Sequence, residues 1–470
     1  MTCLGTGALP TLAKAGPMEV FGAGARSAAM AGALTASADG AEAAYHNPGA
    51  LARSQPGFQL GLVRHVDRSR ILLKPRPSGY DIPDLGGNNP TIPSVRTLEE
   101  RQDTPPESNL LSLTIGSVLD FGTDRFRLGL IATIPLVDGA GQETWFADER
   151  ERLFSNRLRY ELMSTRIRRY DLQVALAYEV LDGIRFGLGL SVLPNVSSTN
   201  DVYLPNPTEQ ENVDLQLRAG QNASWALNAG LHWSPSERWQ IGITFREELA
   251  MRVEGTNVLR IRGFDDDPAS YPTYQHFTLV PFYSPASWNF GAAHSWERTL
   301  LSADVQLMLW DGYLDRAGER PGFHNTLIPR IAVEHRYSET TTARAGLAYH
   351  GSPVPSQSGR TNYVDNDRIV LGWGAMHGLN MRARDFEVSW HVQIHFLLPR
   401  DTDKEVLSDA PLCAPGVRAL CDEVSDDLRD TRTGQPLPGT AGLQTGNPGF
   451  PGFVSGGWMA LLGVELRYAF

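Results

Sequence analysis

"GWMALLGVELRYAF", residues 457–470, closes the chain. Trp458, Ala460, Leu462, Val464, Leu466, Tyr468 and Phe470 fall on one face, and Gly457, Met459, Leu461, Gly463, Glu465, Arg467 and Ala469 on the other. A period of two is the signature of a β-strand, here with one apolar face and one mixed face. The aromatic residues stand at the ends of the apolar face, where a membrane-spanning strand meets the two lipid–water interfaces.

The same alternation recurs upstream. About fourteen segments carry it, near 57–69, 107–121, 125–137, 166–181, 183–197, 214–234, 237–250, 287–297, 299–311, 327–338, 340–350, 366–378, 381–397 and 455–470. Their connections alternate as well. Short turns at 121–124, 181–183, 234–237, 297–299, 337–340 and 378–381 trade places with long polar stretches at 70–106, 138–165, 198–213, 251–286, 312–326, 351–365 and 398–454. Tight turns on one side and long loops on the other are the layout of an outer-membrane barrel. A soluble sandwich predicts no such alternation, and its exposed face would be polar. The expected fold is therefore all-β, a transmembrane antiparallel barrel of about 14 strands over residues 57–470, with both termini on the periplasmic side.

Composition agrees. A chain of 470 residues has room for three soluble domains or for one large closed β-structure. The net charge of −11 argues against a nucleic-acid partner. No run of eighteen apolar residues exists, which excludes a transmembrane helix but not a barrel, whose alternation keeps mean hydropathy low. The opening "MTCLGTGALPTLAKAGPMEV" lacks the cationic start and apolar core of a signal peptide. Of the three cysteines, Cys413 and Cys421 lie close together in a polar stretch that suits a loop disulfide, and Cys3 is left over. His391 and His395 share a strand face, but there is no His-Glu-x-x-His helix, no cysteine pair at zinc spacing and no Gly-x-Ser-x-Gly elbow. The acidic run Asp265–Asp267 reads as a solvated surface. The expectation is a protein without metal, cofactor or catalytic triad. Gly22–Ser27 mimics the start of a dinucleotide fingerprint, but neither the preceding strand nor the separate acidic strand end is present.

Residues 1–56 precede the first strand and show no strand pattern. Their Ala- and Gly-rich run, "GALTASADGAEAAYHNPGALARS" (32–54), packs compactly and suits filling a pore. Three stretches then resemble the long-chain fatty acid outer-membrane transporters, the FadL-like family: "GARSAAMAGALTASADGAEAAYHNPGALA" (24–52), "RAGLAYHGSPVPSQSGRTNYVDNDRIVLGWG" (344–374) and the terminal "LRYAF". The first is similar to the family's hatch, which ends in Asn-Pro-Ala. Here it reads Asn47-Pro48-Gly49, departing at the third place. The aromatic terminus, Phe470, marks barrels delivered to the barrel assembly machinery rather than this family in particular.

The resemblance implies a fourteen-stranded barrel closed by an N-terminal hatch over residues 1–56. It implies passive uptake of fatty acids or related hydrocarbons, without a cofactor, and sideways release through the wall. The surroundings would be outer-membrane lipids and lipopolysaccharide, and the barrel is expected to be a monomer. A hatch-type barrel that docks secreted or surface proteins is the alternative. Asn47-Pro48-Gly49 is either a plain turn into the first strand or the moving part of the hatch, the role that the resemblance implies. Pro135 cannot donate to a sheet ladder. With Gly139 and Gly141 it marks either an outer strand end or a break in the wall, and the resemblance implies the break, a lateral gate.

Alternation points Arg127, Arg185, Arg246 and Arg344 inward. Each is a candidate carboxylate partner through its planar fork, or else a member of an internally paired interior with Asp171, Glu179, Asp304 and Glu334. Phe264, Phe277 and Phe282 belong to the aromatic connection 251–286, which forms either a capture groove for greasy ligands or a self-packed cover.

Overall fold

The computed structural model describes residues 17–74, 102–103, 110–136, 145–146, 158–159, 170–193, 196–205, 212–262, 273–315, 318–356, 362–381, 384–404, 423–424, 444–445 and 452–470. Fourteen strands close into one antiparallel barrel. In chain order they are β1 (Gly57–Leu73), β2 (Leu110–Leu119), β3 (Phe126–Pro135), β4 (Asp171–Leu181), β5 (Ile184–Leu193), β6 (Ser224–Trp233), β7 (Trp239–Arg246), β8 (Ala286–Trp296), β9 (Thr299–Leu309), β10 (Thr326–Arg336), β11 (Thr341–His350), β12 (Arg368–Met381), β13 (Arg384–Asp403) and β14 (Gly452–Ala469). Each pairs with its sequence neighbours, and β1 closes the ring by pairing with both β2 and β14. Closure pairs every described barrel strand with a neighbour on both sides, which is what a hydrocarbon surrounding demands of a β-structure.

The strand sequences explain which face is which. Outward positions such as Leu188 and Trp225 are 64% and 63% exposed, so the exterior is too greasy for water and fits lipid. Trp225 and Trp233 mark the two ends of β6, and Trp288 and Trp296 those of β8. Eight residues at about 3.4 Å each, tilted by about 40°, span about 21 Å, close to the height of a barrel's apolar band. Inward positions are small or polar and buried, as with Gln59, His65, Asp67 and Ser69 of β1.

One expected segment divides differently. The alternation over 214–234 reads as a single strand, but only Ser224–Trp233 joins the barrel. Asn212–Gln221 belongs to a second sheet with Val196–Pro205, Leu249–Arg262 and Thr273–Ser284. These four strands prolong β5, β6, β7 and β8 beyond their outer ends, with short breaks at 222–223, 247–248 and Pro285. Pro285 has no N–H for a ladder, which accounts for the break before β8. The expected loop 251–286 thus contains two strands of a raised wall, set just above the girdle formed by Trp225 and Trp288. Leu193, Ala226, Leu249, Met251 and Phe282 bury one another across the seam.

Candidate functional site: a lumen closed by its own N-terminus

Residues 17–54 lie inside the barrel. They form α1 (Pro17–Phe21), α2 (Ala25–Ala29), α3 (Ala43–His46) and a 3-10 turn, Pro48–Arg53. None of these elements is long enough to hold itself together in water. The barrel holds them. Ala23, Ala33, Leu34, Ala36, Ala38, Ala43, Ala44, Ala50 and Leu51 are all fully buried. Alanine loses no rotamer freedom on burial, so a plug built from it orders at low entropic cost.

The wall provides a matching bed. A Cβ on Gly187 would stand 2.2 Å from the carbonyl carbon of Pro48, and one on Gly230 2.2 Å from Asn47 Oδ1. At Gly346 and Gly372 it would stand 2.3 Å from Met30 C and 2.4 Å from Ala28 O. Inward-facing glycines therefore let plug backbone lie directly on strand backbone.

This contact gives the Asn47-Pro48-Gly49 stretch its geometry. Asn47 is fully buried; its Oδ1 accepts from Gly49 N (2.9 Å), and its Nδ2 donates to Thr35 O (2.7 Å) in the plug and to Leu231 O (3.1 Å) in β6. The side chain thus ties two parts of the plug to the wall. At the third place a Cβ would come within 2.7 Å of Gly230 O and 2.9 Å of Arg185 O. Both are backbone atoms that cannot swing aside, so glycine at 49 follows from the close seating.

Charged groups complete the seat. Arg26 Nε donates to Glu334 Oε2 of β10 (2.8 Å), and Arg344 Nε of β11 donates to the same oxygen (2.7 Å). Asp39 pairs with Arg467 of β14 (3.3 Å), and Asp304 of β9 accepts from Thr35 N (2.7 Å). Two carboxylates meet the start of α2: Ala25 N donates to Glu465 and Ser27 N to Glu42.

Burial pushes the Glu42 carboxyl up from its ordinary 4.5 to about 8, with Glu465 adding to the rise and Arg26 and Arg344 opposing it. His46, 2.6 Å from Ser27 Oγ, is held neutral by burial, and the positive charge of Arg246, Arg330 and Arg26 lowers it further. The two groups act in opposite directions. A seated Glu42 prefers its proton, so seating weakens as pH rises from 4.5 through about 8, by at most tenfold per pH unit. His46 opposes seating only as pH falls below about 6.5. Above about pH 6.5 His46 no longer contributes, and Glu42→Gln should lessen the pH dependence of plug release between about pH 6.5 and 8, followed as conductance across a planar bilayer. An unchanged slope would contradict this assignment.

Between the plug and the wall, toward the long-loop end, two adjoining clefts share Glu19 and Val20 of α1 with Gln306 and His350 of the wall. The outer one is bordered by Met308, Trp310, Ile328 and Pro353 and also by Thr326, Asp365 and Arg368. Beside it an aromatic cluster packs tightly, with Tyr313 stacked on Phe323 at 4.1 Å and Tyr363 edge-on to Phe323 at 5.1 Å. The inner cleft ends against the plug at Tyr45 and His46, and Arg246 and Arg330 reach into it from the wall. Arg246 lies 3.9 Å over the Tyr45 ring and donates to Tyr45 O (2.7 Å). Arg330 donates to Gln306 and passes beside Gly32. The result is a mixed approach, apolar along Val20, Met308, Trp310 and Ile328, that leads to Arg246 and Arg330.

The residues expected from sequence fall into distinct places. Arg127 is committed to backbone carbonyls, including Ser54 O at 3.1 Å. Arg185 pairs with Glu179 (2.8 Å), and Arg344 with Glu334. Of the four arginines only Arg246 borders the clefts. Arg330, which shares the inward face of β10 with Glu334, joins it there without having been singled out. Phe282 is buried in the seam and Phe277 is partly buried on the raised wall.

Pro135 ends β3. It faces Ser112 of β2, while the ladder from β3 to β4 ends at the Thr133–Asp171 pair. Asp401 and Asp403 both pair with Lys74. Gly139, Gly141, Phe264, Asp265–Asp267, Cys413 and Cys421 lie outside the described residues.

Comparison with known proteins gives consistent matches. A family model described as outer membrane protein transport protein (OMPP1/FadL/TodX) matches residues 139–384, more than half of the chain. Alkane uptake protein A of Marinobacter nauticus is 22% identical over 393 residues, 78% of this chain and 80% of that one. A FadL homologue of Pseudomonas aeruginosa superimposes with a TM-score of 0.59 at 14% identity, over 98% of this chain and 100% of the other. The toluene transporter TodX of Pseudomonas putida gives 0.51 at 14%, over 96% and 99%. At these identities the two structures speak to the fold alone.

Proposed function

The chain belongs to the outer membrane protein transport family (OMPP1/FadL/TodX), channels for hydrophobic compounds in the bacterial outer membrane, and from that premise we propose that it carries long-chain fatty acids or related hydrocarbons passively through its plugged lumen. The observation that carries this reading is the pair of adjoining clefts with apolar wall residues Met308, Trp310 and Ile328 that ends at Arg246, Arg330 and the plug. A greasy chain leaves water for the outer cleft, driven by apolar transfer. A carboxylate at its end meets a guanidinium, whose fork suits two oxygens. Retreat of the plug, with Asn47-Pro48-Gly49 as its moving part, then opens the path.

Arg330 makes the test because, unlike Arg246, it does not hold Tyr45. Arg330→Met should raise the KM for a long-chain fatty acid about tenfold or more, the scale of a lost bond to a charged group, and leave uptake of an alkane of equal length unchanged. Equal effects on both substrates would contradict the carboxylate role.

For release we assign a lateral exit to the region beyond Pro135, with Gly139 and Gly141. Its support is that β3 continues its ladder with β2 for two residues after its ladder with β4 has ended. Pro135→Val restores an N–H and should slow uptake while the barrel still folds, as shown by heat-modifiable gel migration. Uptake at the wild-type rate would remove the exit from this place.

A further inference from the structure

The outer surface of β1 departs from the rest of the wall. Phe58, Leu60 and Leu62 face lipid, as alternation requires, but the same face then carries Arg64, Arg68 and Arg70. Arg64 and Arg70 are exposed and Arg68 is partly so. The positions facing them across the β1–β14 ladder are Leu462, Trp458 and Gly456. Trp458 in turn faces Phe396 of β13, so Arg68 continues an outer aromatic row. Arg70 stands one step above that row. Arg64 lies four residues below it, about 10 Å deeper at the usual strand tilt.

Between the two aromatic girdles, no other outward position of the described barrel strands carries a lysine or arginine. An arginine on a lipid face is costly at depth and tolerable when its stem lies along apolar surface and its head reaches the interface. Val66, two residues above Arg64 on the same face, and Ala460 opposite it offer such a surface to the Arg64 stem. Arg68 and Arg70 thus stand at the level of the outer-leaflet headgroups, with Arg64 below them on the same face, on a chain whose net charge is −11. The remainder of such an acidic protein is repelled by an anionic leaflet, so a cationic stripe at that height is where contact is electrostatically favourable.

We infer that Arg64, Arg68 and Arg70 form a docking stripe for the phosphates of the outer-leaflet glycolipid, lipopolysaccharide, whose acyl chains lie along the exposed Leu62 and Leu462. Guanidinium forks bind phosphate oxygens bidentately, and Trp458 sets the depth at which the sugar–acyl boundary rests. The site lies on the barrel's outside and is independent of the transport path.

The full-length protein in nanodiscs tests this, with diphosphorylated lipid A and its dephosphorylated form as probes. The diphosphorylated form should bind more tightly and raise the melting temperature further. Arg68→Gln with Arg70→Gln should weaken that binding by about fivefold per guanidinium removed and leave binding of the dephosphorylated form unchanged. Arg68→Lys with Arg70→Lys should retain most of the difference. Equal binding of the two lipids by the wild type would overturn the proposal, and that comparison does not depend on any variant folding. Loss of both lipids alike in the Gln variant would overturn it by showing an apolar contact only. A fall in particle mass from two chains to one in the Gln variant would overturn it by showing that a second copy covers the face.

Discussion

Gly187→Ala should leave the barrel intact and lift the plug from its seat. The added Cβ would lie 2.2 Å from Pro48 C and 2.3 Å from Pro48 O, both backbone atoms, so the plug must move and not merely turn a side chain. Overpacking of this kind costs about 1–3 kcal/mol, which shifts the ratio of lifted to seated plug by about fivefold to more than a hundredfold. Gly230→Ala acts on the neighbouring strand, where the Cβ would meet Asn47 Oδ1 at 2.2 Å. The two contacts share one plug turn, so their effects should not simply add. Single-channel recording reads the outcome: the wild type stays mostly closed, and Gly187→Ala conducts for a much larger share of the time. Normal heat-modifiable migration with unchanged conductance would mean that the plug is not seated as described.

Glu334→Gln is the second large effect. Its carboxylate holds two guanidiniums, Arg26 of the plug and Arg344 of the wall, in the partly buried lumen. Removing one partner of a buried ionic group strands the others, at a cost of about 3–5 kcal/mol. The loss should appear as faster hydrogen exchange over residues 25–38 and as greater leak. Adding Arg26→Met to Glu334→Gln should recover part of the seating, because one of the two stranded charges is then gone. If the double variant exchanges faster than Glu334→Gln alone, the ionic account of the seat is wrong.

The barrel was legible in the sequence because lipid enforces a strict rule. Every second residue of strands such as 458–470 must be apolar, and local reading is enough to see it. The raised wall was hidden because Leu215, Leu217, Trp225 and Leu227 keep one parity across the polar Gln221, while the strand itself breaks at 222–223. Nothing in the period records a change of sheet.

The seat of the plug was less visible still. Gly187, Gly230, Gly346 and Gly372 all fall on the mixed face of their strands, which is the available signal, but a glycine does not name the atom that approaches it. Arg26 and Glu334 are 308 residues apart in the chain, and only barrel closure brings them together. The same holds for Arg330, which reads as one charge among several on the inward face. The inward direction of Arg127, Arg185, Arg246 and Arg344 follows from parity; which of them is already committed to a partner depends on long-range contacts.

The departure at the third place of Asn47-Pro48-Gly49 also gains a physical cause. The backbone oxygens of Arg185 and Gly230 occupy the volume an alanine methyl would need. The close seating that requires glycine at 49 is the same seating that Gly187→Ala disturbs, so plug and wall are matched on both sides of the contact.

The most direct test of the central claim is transfer of a labelled long-chain fatty acid into proteoliposomes holding the folded barrel, with lumenal substrate trapped enzymatically. Saturable transfer well above that of protein-free liposomes, raised further by Gly187→Ala, is the result expected of a plugged passive channel. Transfer equal to that of protein-free liposomes, in both the wild type and the unseated variant, would contradict it.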